Sequence, residues 1–336
     1  MKQYLDLLQN IIDNGCNRDD RTGTGTRALF GTQTRYNLIE GFPAVTTKKL
    51  AWKSVVSELL WFIEGSGDER HLAEILYGKD RKELTDKTTI WSGNATAEYW
   101  QPKARFEGDL GRVYGVQWRN WRTAYGDTVD QLEGLINGLK DDPYGRRHIL
   151  TAWNPGELDK MALPPCHAFA QFFVSPLNEN EIRKVYMNHR MKLPLDERHS
   201  KFDIDSNGNR REGRMKTIED LIELNIPTQK LSCQMYQRSG DAGLGIPFNI
   251  ASYSLFTHMI AQICGYEAGD FIHTLGDCHI YNNHFDAVKE QLTREPLPLP
   301  NLWLNPDIKN INDFTIDDIK LLDYQSHSII KMNMAV

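Results

Sequence analysis

Cys166 stands in Leu163-Pro164-Pro165-Cys166-His167. The two prolines fix φ and exclude a helix. The residues that follow, Ala168-Phe169-Ala170-Gln171-Phe172-Phe173-Val174, read as a mostly buried strand. A thiol held rigidly where a strand begins can act as a nucleophile, because little freedom is lost on reaching attack geometry. The alternative is a packed core thiol, since free cysteine is among the most buried residue types. His167 is adjacent, but neighbouring strand residues point to opposite faces, so it should not activate Cys166 and is given a structural role. An arginine close to the thiol would instead lower its pKa.

Other side chains could share that chemistry. Glu58 has Val55 at i−3, Trp61 at i+3 and Phe62 at i+4 on a helical pattern. Desolvation there raises a carboxyl pKa toward neutrality and suits it to proton transfer, unless its head reaches water at the helix edge. Arginines occupy turns and loops: Arg21 in Asp20-Arg21-Thr22-Gly23-Thr24-Gly25-Thr26, Arg146-Arg147 after Asp142-Pro143-Tyr144-Gly145, and Arg238-Ser239 at a strand end. With a formal net charge of −6, broad nucleic-acid binding is disfavoured, and an anionic ligand needs such local arginines. Each alone reads more simply as a surface ion-pair partner. Asn249, following Pro247-Phe248, is either a helix N-cap or an amide able to read a pyrimidine edge. Strand alternation in Gly276-Asp277-Cys278-His279-Ile280-Tyr281 puts Asp277, His279 and Tyr281 on one face, for a sugar or as plain polar surface.

The elements that must position these groups follow from periodicity. Tyr4, Leu5, Leu8, Ile11 and Ile12 predict an opening amphipathic helix ending near Gly15; a strand is expected around 27–36, a helix over 52–64, and a buried helix over 249–264. The polar stretch from about 175 to 229 separates strand-like runs at 169–174 and 231–238, and reads as a surface insertion, partly mobile. Its Asp203-Asp205-Asn207 pattern lacks the closing glutamate of a calcium loop. The chain of 336 residues, 40% hydrophobic and 25% charged, has ample length for a sizeable core and allows one large domain or two small ones. Five cysteines without framework or zinc spacing fit a reducing compartment. With no signal core or membrane-length run, the expected location is cytoplasmic, without membrane contact. A P-loop and a GxGxxG after a strand are both absent.

Taken in order, these segments resemble the thymidylate synthase family, which includes pyrimidine hydroxymethylases. The matching stretches are Asp20–Thr26, Phe42-Pro43-Ala44-Val45-Thr46-Thr47-Lys48, Glu58-Leu59-Leu60-Trp61-Phe62, Tyr114-Gly115-Val116-Gln117-Trp118-Arg119, Arg146-Arg147, the Pro-Pro-Cys-His run, Tyr236-Gln237-Arg238-Ser239, Gly245–Tyr253 and Gly276–Tyr281. The resemblance runs from Tyr4 to Val336, broken mainly by the insertion, with an extension near 77–87 and an atypical stretch at 95–107. It implies a single domain over 1–336 with that insertion. It implies an α+β fold, a large mixed β-sheet flanked by helices, paired sheet to sheet in a homodimer. It implies dUMP and 5,10-methylenetetrahydrofolate as substrates, with no metal. By the same resemblance, Arg21, Arg238 and Ser239 hold the nucleotide phosphate, with Arg146 and Arg147 reaching the opposite subunit's site. His279 and Tyr281 hold the ribose, and Gln237, Asp241 and Asn249 complete the dUMP site. Lys48, Trp91, Leu163, Asp241, Gly245 and Ala335 contact folate, and Met334-Ala335-Val336 closes over the site.

The resemblance also implies a mechanism. Cys166 adds to uracil C6, and Asn249 with water held by Glu58 stabilises the enol oxygen; Arg238 supports the thiolate. C5 then attacks the folate methylene carbon, Tyr114 and ordered water assist loss of the C5 proton, and hydride transfer yields dTMP and dihydrofolate. Departures include Arg112 where the family usually has a smaller or apolar residue, Gly240 in place of Cys or Val, Asn94 where some members have Trp, and a C-terminal stretch at 325–328 without the usual prolines. The competing readings are a dUMP hydroxymethylase, in which water quenches the exocyclic methylene, and a non-catalytic nucleotide-binding protein. A dCMP enzyme is disfavoured because Asn249 is not Asp.

Overall fold

The computed structural model describes residues 1–20, 23–204, 208 and 216–333. Helix α1 (Lys2–Asn14) buries Tyr4, Leu7, Leu8 and Ile11 along one stripe and ends before Gly15, matching the predicted period. It is followed by β1 (Cys16–Arg18), β2 (Thr26–Asn37), α2 (Trp52–Ile63), α3 (Glu69–Tyr77), α4 (Ser92–Ala95), α5 (Tyr114–Arg119) and the hairpin β3 (Trp121–Arg122) and β4 (Thr128–Val129). Then come α6 (Gln131–Asp141), β5 (Ile149–Thr151), β6 (His167–Pro176), α7 (Glu179–Met191), α8 (Leu195–Phe202), α9 (Ile218–Glu223) and β7 (Gln229–Asp241). The chain continues through α10 (Gly245–Cys264), β8 (Glu267–Tyr281), α11 (Phe285–Leu292) and the pair β9 (Asn301–Leu304) and β10 (Ile319–Leu322).

A six-stranded sheet in the order β1-β2-β8-β7-β6-β5 carries the fold. Every neighbour is antiparallel except β7 and β8. A parallel pair needs a long crossover, and α10 supplies it. That helix is buried nearly all round, with Ile250, Leu255, Phe256 and Met259 inside. Phe256 stacks on Trp118 at 5.3 Å and meets Phe172 of β6 edge-on at 5.9 Å, fixing the helix against the inner sheet face. Along β6, Ala170, Phe172 and Val174 point inward while Phe169, Gln171 and Phe173 are exposed. Phe30 of β2, 85% exposed, adds to the apolar outer face. No helix among the described residues is long and apolar enough to cross a membrane.

Two expectations change. Helix α10 begins at Gly245, because Pro247 sits in the first turn, where its missing N–H costs nothing. Asn249 therefore lies inside the helix and is not its N-cap. The 175–229 insertion, expected as a solvated elaboration, contains α7, α8 and α9. These helices close a second apolar cluster of Leu177, Ile182, Val185, Tyr186, Phe202, Leu221, Leu224 and Ile226, reaching Ile39. The Asn178 side chain accepts from the N–H groups of Asn180 and Glu181, and Glu181 bonds back to the cap. Asp203 accepts two bonds from Arg190, at 2.9 and 3.1 Å; Asp205 and Asn207 lie outside the described residues.

Loss of the Asn178 cap should destabilise α7 by about 1 kcal/mol. In Asn178→Ala, amide exchange should quicken across α7 while β6 and β7 keep their protection. Unchanged exchange in α7 would refute a cap-dependent insertion.

Candidate active site

Cys166 lies immediately before β6, and its loop is tied to β7. Arg238 Nε donates to the Pro165 carbonyl at 2.9 Å and Nη2 to the Pro164 carbonyl at 2.8 Å. The Arg238 N–H donates to the Cys166 carbonyl at 2.8 Å. The guanidinium lies 5.7 Å from the centre of the Trp153 ring. From the other side, the Cys166 N–H donates to the Tyr114 hydroxyl at 2.7 Å. The proline residues lack an N–H to pair, but their carbonyls still accept, and these become the handles by which the thiol is held.

The electrostatics differ from the expectation of a ready thiolate. Burial pushes the Cys166 thiol up, and Arg238 and a hydrogen bond from Tyr114 offset only part of it. Burial likewise drives the Tyr114 hydroxyl well above its ordinary value, with Cys166 nearby adding to the effect. Glu58 behaves as predicted: burial raises its pKa to about 7, against a lowering bond from Trp91. Trp91 Nε1 donates to Glu58 Oε1 at 2.8 Å, and the Trp91 ring meets Tyr114 edge-on at 5.7 Å. A continuous line of contacts, Glu58–Trp91–Tyr114–Cys166, therefore crosses the site. His167 packs against the rings of Tyr114 and Tyr253, and burial lowers its pKa to about 4, so it stays neutral. That agrees with its structural role.

A polar chain runs behind the thiol. Gln237 Nε2 donates to Asn249 Oδ1 at 3.1 Å and to the Ser239 carbonyl at 2.9 Å, while Gln237 Oε1 lies 2.8 Å from His273 Nε2. Gly240 makes room for this amide, since a Cβ there would stand 3.0 Å from Gln237 Nε2. On β8, His279 Nδ1 is 2.8 Å from Asp277 Oδ1, and Arg18 Nη1 donates to Asp277 Oδ2 at 2.6 Å. The Tyr281 ring lies edge-on to His279 at 5.0 Å. Asp241, opposite His279 in the sheet, accepts from the Gly243 N–H at 2.8 Å.

Of the expected folate contacts, Trp91 is buried, Leu163 is half-buried, and Gly245 opens α10 within reach of Asp241. Lys48 is turned inward: its Nζ donates to the Gly243 carbonyl beside Met332, and burial lowers its pKa to about 8. The C-terminal stretch is pinned along the same side. His327 N donates to the Thr46 carbonyl at 2.8 Å, and His284 Nε2 lies 2.7 Å from the Asn333 carbonyl. Arg146 and Arg147 are exposed beside β5, with no ion pair among the described residues. Arg21 and Ala335 lie outside the described residues.

This arrangement presents a clamped thiol, a carboxyl poised near neutrality, a phenol between them and an amide chain behind. The family model described as thymidylate synthase matches residues 2–200 and 214–336. The chain belongs to the thymidylate synthase family. Apart from the first residue, only 201–213, in the insertion, falls outside the match. Trp153 beneath Arg238, Tyr253 beside His167 and His273 on Gln237 were not singled out from sequence. Their side chains meet the site only through folding, and aromatic residues in apolar runs read as ordinary core.

Because Glu58 has a raised folded-state pKa, its contribution to stability is present below the unfolded value and is lost as pH rises to about 7. The stability of the native protein relative to Glu58→Gln should therefore fall by on the order of 3 kcal/mol between about pH 4.5 and pH 7. Parallel denaturant titrations across that range measure it; a flat difference would rule out the buried acid.

Proposed function

We propose that this chain converts dUMP to dTMP with 5,10-methylenetetrahydrofolate, releasing dihydrofolate. The observation that carries the reading is the Cys166 thiol held between Tyr114 and Arg238, with Asn249 behind it. Uracil C5 is a weak nucleophile, so addition of sulfur to C6 is needed first. Arg238 uses two of its five donors on the proline loop, leaving donors for a phosphate together with Arg21 and Ser239. A phosphate there would complete the environment that Cys166 otherwise sees as desolvated. His279, fixed by Asp277, and Tyr281 suit a ribose hydroxyl. Asn249, oriented by Gln237, suits the two-sided hydrogen bonding of a uracil edge.

Folate supplies the one-carbon unit and the hydride. The residues fit it in part: the second oxygen of Asp241 can accept from a ring N–H, and Trp91 and Leu163 offer apolar contact. Lys48 would act through Gly243. Glu58, near neutral pKa, can hold and return a proton through water, and Tyr114 stands at the reacting sulfur. The tail ending at Met334-Ala335-Val336 would exclude water once closed.

The exposed apolar sheet face, with Phe30, Phe169 and Phe173, supports a homodimer formed sheet to sheet, in which Arg146 and Arg147 serve the opposite site. Phe173→Glu should give a slower-sedimenting monomer with little activity; a fully active monomer would exclude shared sites.

Incubation with dUMP and methylenetetrahydrofolate, followed by product mass, should show dTMP and stoichiometric dihydrofolate. Hydroxymethyl-dUMP without dihydrofolate would establish the hydroxymethylase instead, and no product would favour a nucleotide-binding protein. Cys166→Ala should abolish turnover but keep dUMP binding within about tenfold, because the phosphate and base contacts persist.

A further inference from the structure

Arg112 is buried. Its Nε donates to Glu157, also buried, and its Nη2 donates to the Asn120 carbonyl at the end of α5. Gln117 Nε2, on α5, donates to Glu157 Oε2 at 2.9 Å and to the Arg112 carbonyl at 3.1 Å. Asn154 Nδ2 lies 3.3 Å from both Glu157 Oε2 and Gln117 Oε1. Burial pushes the Glu157 carboxyl up, but hydrogen bonds from Gln117 and Arg112 outweigh it and hold it below the usual carboxylate range.

This hub joins two segments that meet at the thiol. The Arg112 N–H donates to the Lys160 carbonyl at 2.9 Å, and Gly111 bridges Met161, so residues 110–113 lie along the chain leading to Cys166. Two residues on, Tyr114 has φ +21°, a backbone region that residues with side chains seldom occupy and that needs support on both sides. On one side Gly115 presses on α2, where a Cβ would come within 2.3 Å of the Phe62 carbonyl, and the Tyr114 ring stacks on Phe62 at 4.9 Å. On the other side is Arg112, reaching from Glu157 to the far end of α5.

We propose that Arg112 is a positioning residue for the reaction read above: its ion pair with Glu157 locks α5 to the Cys166 loop and sets the Tyr114 hydroxyl against Cys166. The inference rests on that reading for its turnover test, not for its test at the thiol. Arg112 touches neither the thiol nor any residue assigned to substrate, so its effect should fall on the chemical step.

The experiment compares native protein, Arg112→Ala, Arg112→Lys and Glu157→Gln, with folding checked by thermal unfolding and dUMP binding. Arg112→Ala should lower kcat by about 10- to 100-fold, the scale of a small misplacement of reacting groups, and leave KM for dUMP nearly unchanged. Alkylation of Cys166, read on its peptide by mass, should change in rate in the same variant. Arg112→Lys should recover only part, because an ammonium cannot fork between Glu157 and Asn120. Arg112 borders a cleft of about 290 Å³ shared with Val116, Asn120 and Arg122, so added guanidinium should partly rescue Arg112→Ala. Should Arg112→Ala not fold, Glu157→Gln, which keeps the shape and removes the charge, should show the same kcat loss. Native kcat and alkylation rate in folded variants would overturn the inference, as would losses matched by the unfolded fraction and untouched by guanidinium. Absence of dTMP from the native protein would instead overturn the functional reading, while the alkylation comparison still judges Arg112.

Discussion

The hydrogen bonds from Arg238 to the Pro164 and Pro165 carbonyls are what the site depends on. Prolines cannot join a strand ladder through N–H, so this loop has no regular pairing to hold it. One guanidinium supplies it, using two donors of a planar fork whose geometry is set in advance. Because Arg238 lies on β7, next to β6, the thiol inherits the rigidity of the sheet centre rather than the mobility of a loop. The same strand register places Gln237 opposite His167 and Asp241 opposite His279, so one sheet aligns the groups proposed to meet base, sugar and nucleophile.

Desolvation then decides protonation. Glu58, Tyr114, His167 and Cys166 all sit where burial disfavours their charged forms. Around the thiol itself, burial thus favours neutral side chains, and the Arg238 guanidinium is the charge set beside Cys166. In the proposed reaction an anionic nucleotide bound at Arg238 would be what links thiol activation to substrate binding. Among these four groups Glu58 alone has its pKa brought close to neutrality, which suits it to the proton transfer proposed above.

Much of this was legible in the residues. The Glu58 environment followed from helical spacing alone, and the rejection of His167 from strand alternation. The Pro-Pro-Cys run announced a rigid thiol, although the sign of its pKa did not follow, because burial outweighed Arg238. Asn249 was misread as a possible cap because Pro247 looks like a helix boundary, yet Pro is welcome in a first turn. The insertion looked solvated because its charged tip masked the Ile182, Val185 and Tyr186 stripe. The Arg112–Glu157 pair joins residues 45 apart with no local pattern, so only the fold could reveal it.

Addition of Cys166 to pyrimidine C6, within a site that also admits folate, is the central proposal. Mixing the protein with 5-fluoro-dUMP and methylenetetrahydrofolate, then mapping covalent mass by peptide, tests that directly. One nucleotide and one folate should be joined to the Cys166 peptide, since fluorine at C5 cannot leave as a proton does. An unmodified Cys166 peptide under saturating conditions would contradict it.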